Sequence, residues 1–193
     1  FRSNKVSVAS AVFLIVLVLG AIFIPFFWPH SYSDQNLMMT NQAPGNGFIF
    51  GTDAHGRDLF IRVVYGARIS LTVGILASVI NLVVGVTYGG IAGYIGGKVD
   101  NLMMRIVDIL YTIPLTLYVI LLMVWLKPGM TSILVAIGTT YWIGMARIVR
   151  GQIYSLKEQE YVLAARTLGA SDSRILFKHL IPNAMGPIIV SLT

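Results

Sequence analysis

Long, nearly uncharged apolar runs constrain this chain more than any other feature of its sequence. The first extends from Val6 to Trp28, and as a helix it is long enough to cross about 30 Å of hydrocarbon. Only 11% of the residues are charged and the mean hydropathy is +0.78, whereas about a quarter of the residues are charged in a typical soluble domain. We therefore predict an all-α fold, in which a polytopic membrane protein spans the bilayer with helices.

The apolar runs predict one transmembrane domain over residues 1–193, with four complete spans and the start of a fifth. We place the spans at about 6–28, 69–94, 102–126, 131–149 and 186–193. A cleaved signal peptide would also begin with basic residues such as Arg2 and Lys5, but the first run is too long and has no small-residue cleavage site. The chain lacks an initiator methionine and stops at Thr193 inside an apolar run, so we expect both ends of the native protein to be missing.

The segment between the first two spans, residues 29–68, contains an amphipathic stretch. Its apolar residues recur at helical spacing and lie opposite polar residues such as Arg62 and Tyr65. This pattern predicts a helix that lies in the membrane interface before the second span begins. The apolar positions are Leu59, Phe60, Val63, Val64 and Ala67.

The distribution of basic residues predicts the orientation in the membrane. Two predicted spans separate the N-terminus from the turn at residues 94–101, and two more separate that turn from the loop at residues 151–185. These three segments therefore lie on the same side of the membrane. That side holds ten basic residues: Arg2, Lys5, Lys98, Arg105, Arg147, Arg150, Lys157, Arg166, Arg174 and Lys178. The other side holds four: Arg57, Arg62, Arg68 and Lys127. Because basic residues accumulate in cytoplasmic loops, we predict that the 151–185 loop is cytoplasmic and the 29–68 segment is extracytoplasmic.

Several kinds of site are excluded or disfavoured by the sequence. The absence of cysteine excludes disulfides and thiolate metal sites. Gly97-Lys98 lacks the first glycine and the final Ser or Thr of a P-loop. The net charge of +6 arises from residues at the ends of apolar runs, which favours membrane orientation over nucleic-acid binding. Capping or ion-pair roles are favoured over a metal site for Asp53, His55 and Asp58, whose spacing fits no ligand set.

A row of small residues in the second span predicts close helix packing. The glycines fall at every fourth position and therefore share one helical face. The partner helix belongs either to this subunit or to a second one. The row consists of Gly85, Gly89, Gly93 and Gly97.

The third span contains an ionisable residue and a proline. Asp108 lies about one turn inside the span, three residues from Arg105, so it is either half of a structural ion pair or part of a solute pathway. Pro114 should kink the helix and free backbone carbonyls beside a polar pathway.

A polar stretch from Glu160 to Asn183, which we call the elbow, interrupts the apolar sequence. We predict a first short helix that is ended by Gly169 in a left-handed conformation. Ser171 or Asp172 can cap a second short helix that stops near Pro182. We expect two small residues of the first helix, Ala164 and Ala165, to be exposed to a partner.

The elbow resembles the cytoplasmic loop of permease subunits from bacterial ATP-binding-cassette importers, which has the consensus Glu-Ala-Ala, three residues, then Gly. Ala164, Ala165 and Gly169 match this spacing, whereas Leu163 replaces the glutamate and Glu160 lies one turn earlier. The tail from Phe177 to Asn183 is similar to the end of the loop in the peptide branch. The resemblance implies that a partner ATPase is contacted by Glu160, Ala164, Ala165, Gly169, Ala170 and Ser171.

A second motif narrows the resemblance to one branch of that family. Gly51-Thr52-Asp53 followed by Gly56-Arg57-Asp58 closely resembles a signature of oligopeptide, dipeptide and nickel permeases. The family implies a second homologous permease, two cytoplasmic ATPases that hold ATP and Mg²⁺, and an external solute-binding protein. This chain would then be neither an enzyme nor a cofactor carrier. Peptides are the expected cargo, and nickel or another small solute is the alternative.

Other classes of function find less support in the residues. An intramembrane enzyme needs a convergent set of catalytic groups at membrane depth, which the sequence does not show. A passive channel is disfavoured because no span has a ring-forming charge or a filter sequence. A membrane scaffold needs only the glycine face and stays open as an alternative. Co-purification of a nucleotide-hydrolysing partner would separate the scaffold from the importer.

Overall fold

The computed structural model describes residues 4–192, and every regular element in that part of the chain is helical. Two residues used in the predictions lie outside the described residues. They are Arg2, which was counted for the orientation, and Thr193, the last residue of the predicted fifth span. In chain order the helices are α1 (Lys5–Phe27), α2 (Leu59–Ile95), α3 (Gly97–Thr112), α4 (Leu115–Leu126), α5 (Met130–Leu156), α6 (Glu160–Thr167) and α7 (Asp172–Leu192). The all-α prediction is confirmed.

Four of these helices, α1, α2, α5 and α7, are each long and apolar enough to cross a membrane. The pair α3 and α4 forms a fifth candidate span, bent by 83°. The chain divides into two compact units, residues 1–74 and 75–193. In the first unit α1 and the segment before α2 are the main elements, and in the second the helices pack around α5.

The predicted interfacial helix is not a separate element. It forms the first turns of α2, which continues for 37 residues, or about 55 Å. No proline interrupts residues 59–80, so nothing in the backbone ends the helix at the predicted boundary. Of the predicted apolar positions, Val64 is buried and Val63 is 57% exposed, and Ile61 is also buried.

Pro114 breaks the third predicted span. The helix ends at Thr112 and restarts at Leu115, with the 83° change of direction between the two parts. Proline has no backbone N–H and its ring clashes with the preceding turn. The structure therefore has a change of direction where the kink was predicted, and it is a full break in the helix.

The predicted helix end near Pro182 is wrong, because α7 runs from Asp172 to Leu192 without a break. The second arm of the elbow and the predicted fifth span are thus one helix. Residues Ile175–Leu180 form π-helical turns directly before the proline. The missing N–H and the ring of Pro182 fall where the α-helical hydrogen-bond pattern is already interrupted, so the helix continues.

The core of the second unit forms around the second half of α5, residues 142–156, which packs against α2 and α7. Its buried side chains come from all three helices and from α6. They are Val86, Met145, Val149, Ile153, Val162, Ile175, Leu176, Leu180, Ala184 and Ile188. Because Val162 belongs to α6, the short helix shares one core with the spanning helices.

The glycine row lets α2 approach α5 of the same chain. A Cβ atom on Gly85 would lie 2.6 Å from the Met145 Cβ, and one on Gly93 would lie 2.7 Å from the Arg150 carbonyl oxygen. A Cβ atom on Gly89 would overlap the backbone carbonyl of Ala146. Of the two partners left open by the sequence, the structure therefore shows a helix of this subunit.

Gly97 does not belong to this packing row, contrary to the prediction. No atom lies within 4 Å of a Cβ built on it, and its φ is +58°. With Gly96, whose φ is +69°, it turns the chain from α2 into α3. Both glycines adopt a left-handed conformation that side chains disfavour, so the helical spacing ends before Gly97.

Candidate functional site

The first arm of the elbow ends in a Schellman motif. The N–H of Gly169 donates to the carbonyl of Arg166 at 2.9 Å, and the N–H of Ala170 donates to the carbonyl of Ala165 at 3.0 Å. This pattern requires a left-handed residue after the helix, and Gly169 supplies it with φ of +80°. Ser171 then caps α7, since its side chain accepts from the N–H of Arg174 at 3.4 Å. The angle between the two arms therefore follows from local hydrogen bonds.

Helix α6 has one face against the core and one face open. Val162 is fully buried, and Ala165 is half-buried against the same core. Ala164 is exposed, together with two larger apolar side chains, Leu163 at 51% and Leu168 at 87%. The prediction that both alanines are exposed is thus wrong for Ala165, because successive helical residues point about 100° apart. The open apolar face is formed by Leu163, Ala164 and Leu168.

Tyr94, near the end of α2, ties the two arms of the elbow together. Its hydroxyl donates to the Asp172 carboxylate at 2.5 Å and accepts from the Arg166 guanidinium at 3.5 Å. The hydrogen bond with Tyr94 raises the pKa of Arg166 above its ordinary value. Nearby, the Lys157 ammonium donates to the Gly93 carbonyl at 3.2 Å, a favourable position for a cation at a helix end. The elbow is therefore tied to the end of α2 on both sides of Gly169.

In the first unit, residues 51–58, which contain the second motif, form a compact loop. The Asp53 carboxylate accepts from the backbone N–H of His55 and Arg57 and from the Arg57 guanidinium, whose Nε lies 2.8 Å away. Burial acts to raise the pKa of Asp53, but these hydrogen bonds and the charge of Arg57 outweigh it and lower the pKa to about 2.

Asp58 and Thr52 connect this loop to the preceding segment of the chain. Asp58 is 2% exposed, and its carboxylate accepts from the indole N–H of Trp28 at 2.8 Å and from the backbone N–H of Phe60 at 2.9 Å. The Thr52 hydroxyl donates to the Met39 carbonyl and accepts from the N–H of Gln42.

The two glycines of the motif allow close backbone contact. Gly51 and Gly56 have φ of +76° and +69°, and a Cβ atom on either would overlap a neighbouring carbonyl, that of Gln42 or of Asn36. Together with the contacts of Asp53, Thr52 and Asp58, this geometry gives the motif a structural role in residues 28–60.

The ion pair predicted between Asp108 and Arg105 is not formed. Asp108 instead accepts from the Arg147 guanidinium at 2.6 Å, which links α3 to α5. The Arg147 guanidinium carbon also lies 4.3 Å from the centre of the Tyr111 ring, within the range of a cation–π contact. Arg105 lies on the same helix, three residues from Asp108, so spacing along the helix alone gave the wrong partner.

A second ion pair between these helices was missed by the sequence analysis. The Arg150 guanidinium binds Asp100 through two hydrogen bonds of 2.5 and 2.6 Å, and the Asp100 side chain is 5% exposed. Bidentate pairs of this kind are strong and directional. The available signal was the position of two acids and two arginines in neighbouring apolar segments, where each charge needs a partner.

The spanning helices, the broken span and the exposed elbow define a polytopic α-helical membrane protein with a helical loop between two spans. Comparison with known families agrees with this class. The chain belongs to the family described as binding-protein-dependent transport system inner membrane component, which matches residues 85–193. Residues 1–44 match the N-terminal TM domain of oligopeptide transport permease C. The predicted family and the membrane location are confirmed, and the family is a transport component and not an enzyme.

Curated relatives are similar along the whole chain. The oligopeptide transport system permease protein OppC of Bacillus subtilis is 51% identical over 193 residues, which are 100% of this chain and 63% of the relative. The dipeptide transport system permease protein DppC of the same organism is 50% identical over 192 residues, 100% of this chain and 60% of the relative. OppC of Escherichia coli K12 is 44% identical over 192 residues, 98% of this chain and 64% of the relative. The chain thus spans less than two thirds of the length of these relatives.

Proposed function

We propose that this chain is the main part of a permease subunit in an ATP-driven importer that moves peptides across the cell membrane. The observation that carries the proposal is the open apolar face of α6, Leu163, Ala164 and Leu168, on a helix whose other face enters the core of the spanning helices. The names of the relatives, oligopeptide and dipeptide permeases, support peptides as the cargo.

In this mechanism the elbow docks in a cleft of a cytoplasmic ATPase that holds ATP and Mg²⁺. Ala164 allows close contact, and Leu163 supplies apolar surface where the family pattern has an acid. Movement of the cleft acts through Val162 on the shared core, and so shifts α5 and α7. Transmission requires that the contacts differ between the two conformations, because equal binding to both would shift nothing.

The assembly includes further partners. A second homologous permease completes the pore, a second ATPase binds that permease, and an external solute-binding protein delivers the peptide. The cytoplasmic position of the elbow is supported by the ten basic residues on its side of the membrane against four on the other. The surrounding lipid covers the apolar side chains that α1 and α4 expose, such as Phe13 and Leu121.

The docking role is tested by enlarging the exposed alanine in the full transporter. We expect Ala164→Trp to reduce co-purification of the ATPase and peptide uptake by at least tenfold, while Ala164→Ser keeps both, because only the large side chain prevents close contact. Membrane levels of the permease should be equal in the two variants. Normal uptake by Ala164→Trp would remove the elbow from the mechanism.

The purified full transporter also tests which solute is carried and whether the protein is an importer or a scaffold. Wild-type proteoliposomes with the binding protein should accumulate labelled peptide only when ATP is present. Accumulation of Ni²⁺ without peptide would change the cargo, and the lack of any bound nucleotide-hydrolysing partner would favour a scaffold.

A further inference from the structure

Charged side chains are exposed on a face of the second unit where a bilayer cannot cover them. The Asp108 and Arg147 side chains are 66% and 39% exposed, although both lie in candidate membrane spans. Asp108 follows Gly97 by 11 residues (108 − 97), and Arg147 precedes Leu156 by nine (156 − 147). Asp108 is thus about 17 Å from the start of the broken span, and Arg147 is about 14 Å from the nearer end of α5, measured along each helix axis. A charge at such depth is costly against lipid and instead faces protein or water.

On the side away from Asp108, the exposed surface of α3 is apolar. Leu102, Ile106 and Ile109 are 66%, 45% and 61% exposed, and they lie more than 90° around the helix from Asp108 at about 100° per residue. The helix therefore has a lipid-compatible side and a polar side. Tyr111, 66% exposed, lies on the polar side beneath the Arg147 guanidinium.

A second observation points to water on the polar side. The span breaks at Pro114, six residues after Asp108 (114 − 108), with the 83° bend between α3 and α4. A broken helix leaves carbonyls of its last turn without backbone partners. Within a membrane such backbone is tolerated where it is buried in protein or lines a water-filled cavity, as in the broken helices of transporters.

We propose that Asp108, Tyr111 and Arg147 line the water-filled path of the solute and form a binding site for the main-chain and terminal charges of a peptide. The existing contact joins one oxygen of Asp108 to one nitrogen of Arg147. The second carboxylate oxygen can accept from the terminal ammonium of the peptide, and the remaining guanidinium N–H groups can donate to its carboxylate or carbonyls. The site thus recognises groups that all peptides share. This inference rests on the proposed import of peptides.

Aqueous access is tested by cysteine labelling in the full transporter, since this sequence contains no cysteine and any in the remaining subunits can be replaced. With a charged, membrane-impermeant methanethiosulfonate reagent, we expect Asp108→Cys to be labelled at a rate that differs at least threefold between the ATP-bound and nucleotide-free states. Ile106→Cys, exposed on the opposite side of the same helix, should stay unlabelled. Protection of Asp108→Cys in both states, or its cross-linking to the second permease, would overturn the proposal.

Recognition of peptide charge is tested by uptake. Asp108→Asn should lower the uptake of peptides with a free N-terminus by about tenfold, as expected for a lost charge-assisted hydrogen bond. Uptake of N-acetylated peptides should change less than twofold, because they lack the terminal ammonium that Asp108 would bind. Arg147→Gln should act in the same way on peptides with a free carboxylate in comparison with amidated ones.

The outcomes separate this proposal from the proposed function. A wild-type transporter that imports no peptide contradicts the proposed function itself. A wild type that imports peptide, with variants that lose free and blocked peptides equally, contradicts only the binding site.

Discussion

Asp53 shows how the immediate surroundings of one residue set its ionisation. Its carboxylate accepts two backbone hydrogen bonds and pairs with Arg57, so its pKa falls from 3.8 to about 2. The folded state therefore favours the charged form. The stabilisation is complete above the unfolded-state pKa of about 4 and is lost as the pH falls through the folded-state value.

This linkage predicts the effect of Asp53→Asn. At pH 6 the variant transporter in detergent should unfold at a lower temperature than the wild type, and the difference should shrink as the pH falls from 4 towards 2. Arg57→Gln should cause a similar loss at pH 6, and the double variant should lose less than the sum, because the two residues share one interaction. A difference that is constant over this pH range would contradict the assignment.

Gly169 is needed for its backbone conformation and not for close packing. A Cβ atom there would meet nothing within 4 Å, and only the φ of +80° calls for glycine. The sequence predicted this position correctly because a helix end is a local property. The exposure of Ala165 was not predicted correctly, since it depends on where the core lies.

At the scale of elements, the contact between α2 and α5 depends on small residues. Gly89 faces the backbone of Ala146 so closely that a methyl group does not fit. Such contacts provide the packing of helices in a membrane, where the hydrophobic effect contributes little between them. The ion pairs of Asp100 with Arg150 and of Asp108 with Arg147 then join α3 to α5.

Replacement of Gly89 by alanine tests this packing. Gly89→Ala should destabilise the transporter by about 1–3 kcal/mol, the usual cost of overpacking, and lower its unfolding temperature in detergent. Gly144→Ala is the matched control, because Gly144 is in α5 and a Cβ atom there meets nothing within 4 Å. It should be neutral or stabilising by up to about 1 kcal/mol. Equal stability of the two variants would contradict the close contact.

At the scale of the whole molecule, the described structure joins the elbow to the spanning helices in two ways. Val162 enters the core that α2, α5 and α7 share, and Tyr94 binds Asp172 and Arg166 on either side of Gly169. In the proposed mechanism, a displacement of α6 therefore acts on the ends of three spanning helices. The core contact holds α6 in place, and the Tyr94 contacts connect both arms of the elbow to the end of α2.

Removal of the Tyr94 hydroxyl tests the role of its contacts with Asp172 and Arg166. Tyr94→Phe should keep ATP hydrolysis by the partner within twofold of the wild type and lower peptide uptake by about two- to tenfold, the range for one hydrogen bond. Tyr154→Phe is the control, because its ring beside Lys157 is retained. Parallel loss of hydrolysis and uptake in Tyr94→Phe would indicate a general structural role.

The sequence by itself determined the properties that depend on neighbouring residues. It predicted the helical class, the glycine at the end of α6 and a change of helix direction at Pro114, because hydropathy, backbone freedom and the missing proline N–H act locally. Its two family motifs also led to the family that the comparison confirms.

Only the tertiary structure decided which distant groups meet. Asp108 pairs with Arg147, 39 residues away, and not with Arg105, and Tyr94 binds Asp172 across 78 residues. Pro182 does not end its helix, because π-helical turns precede it within a packed segment. Spacing along one helix identifies residues that share a face, whereas the partner of a charge depends on which helix packs against that face.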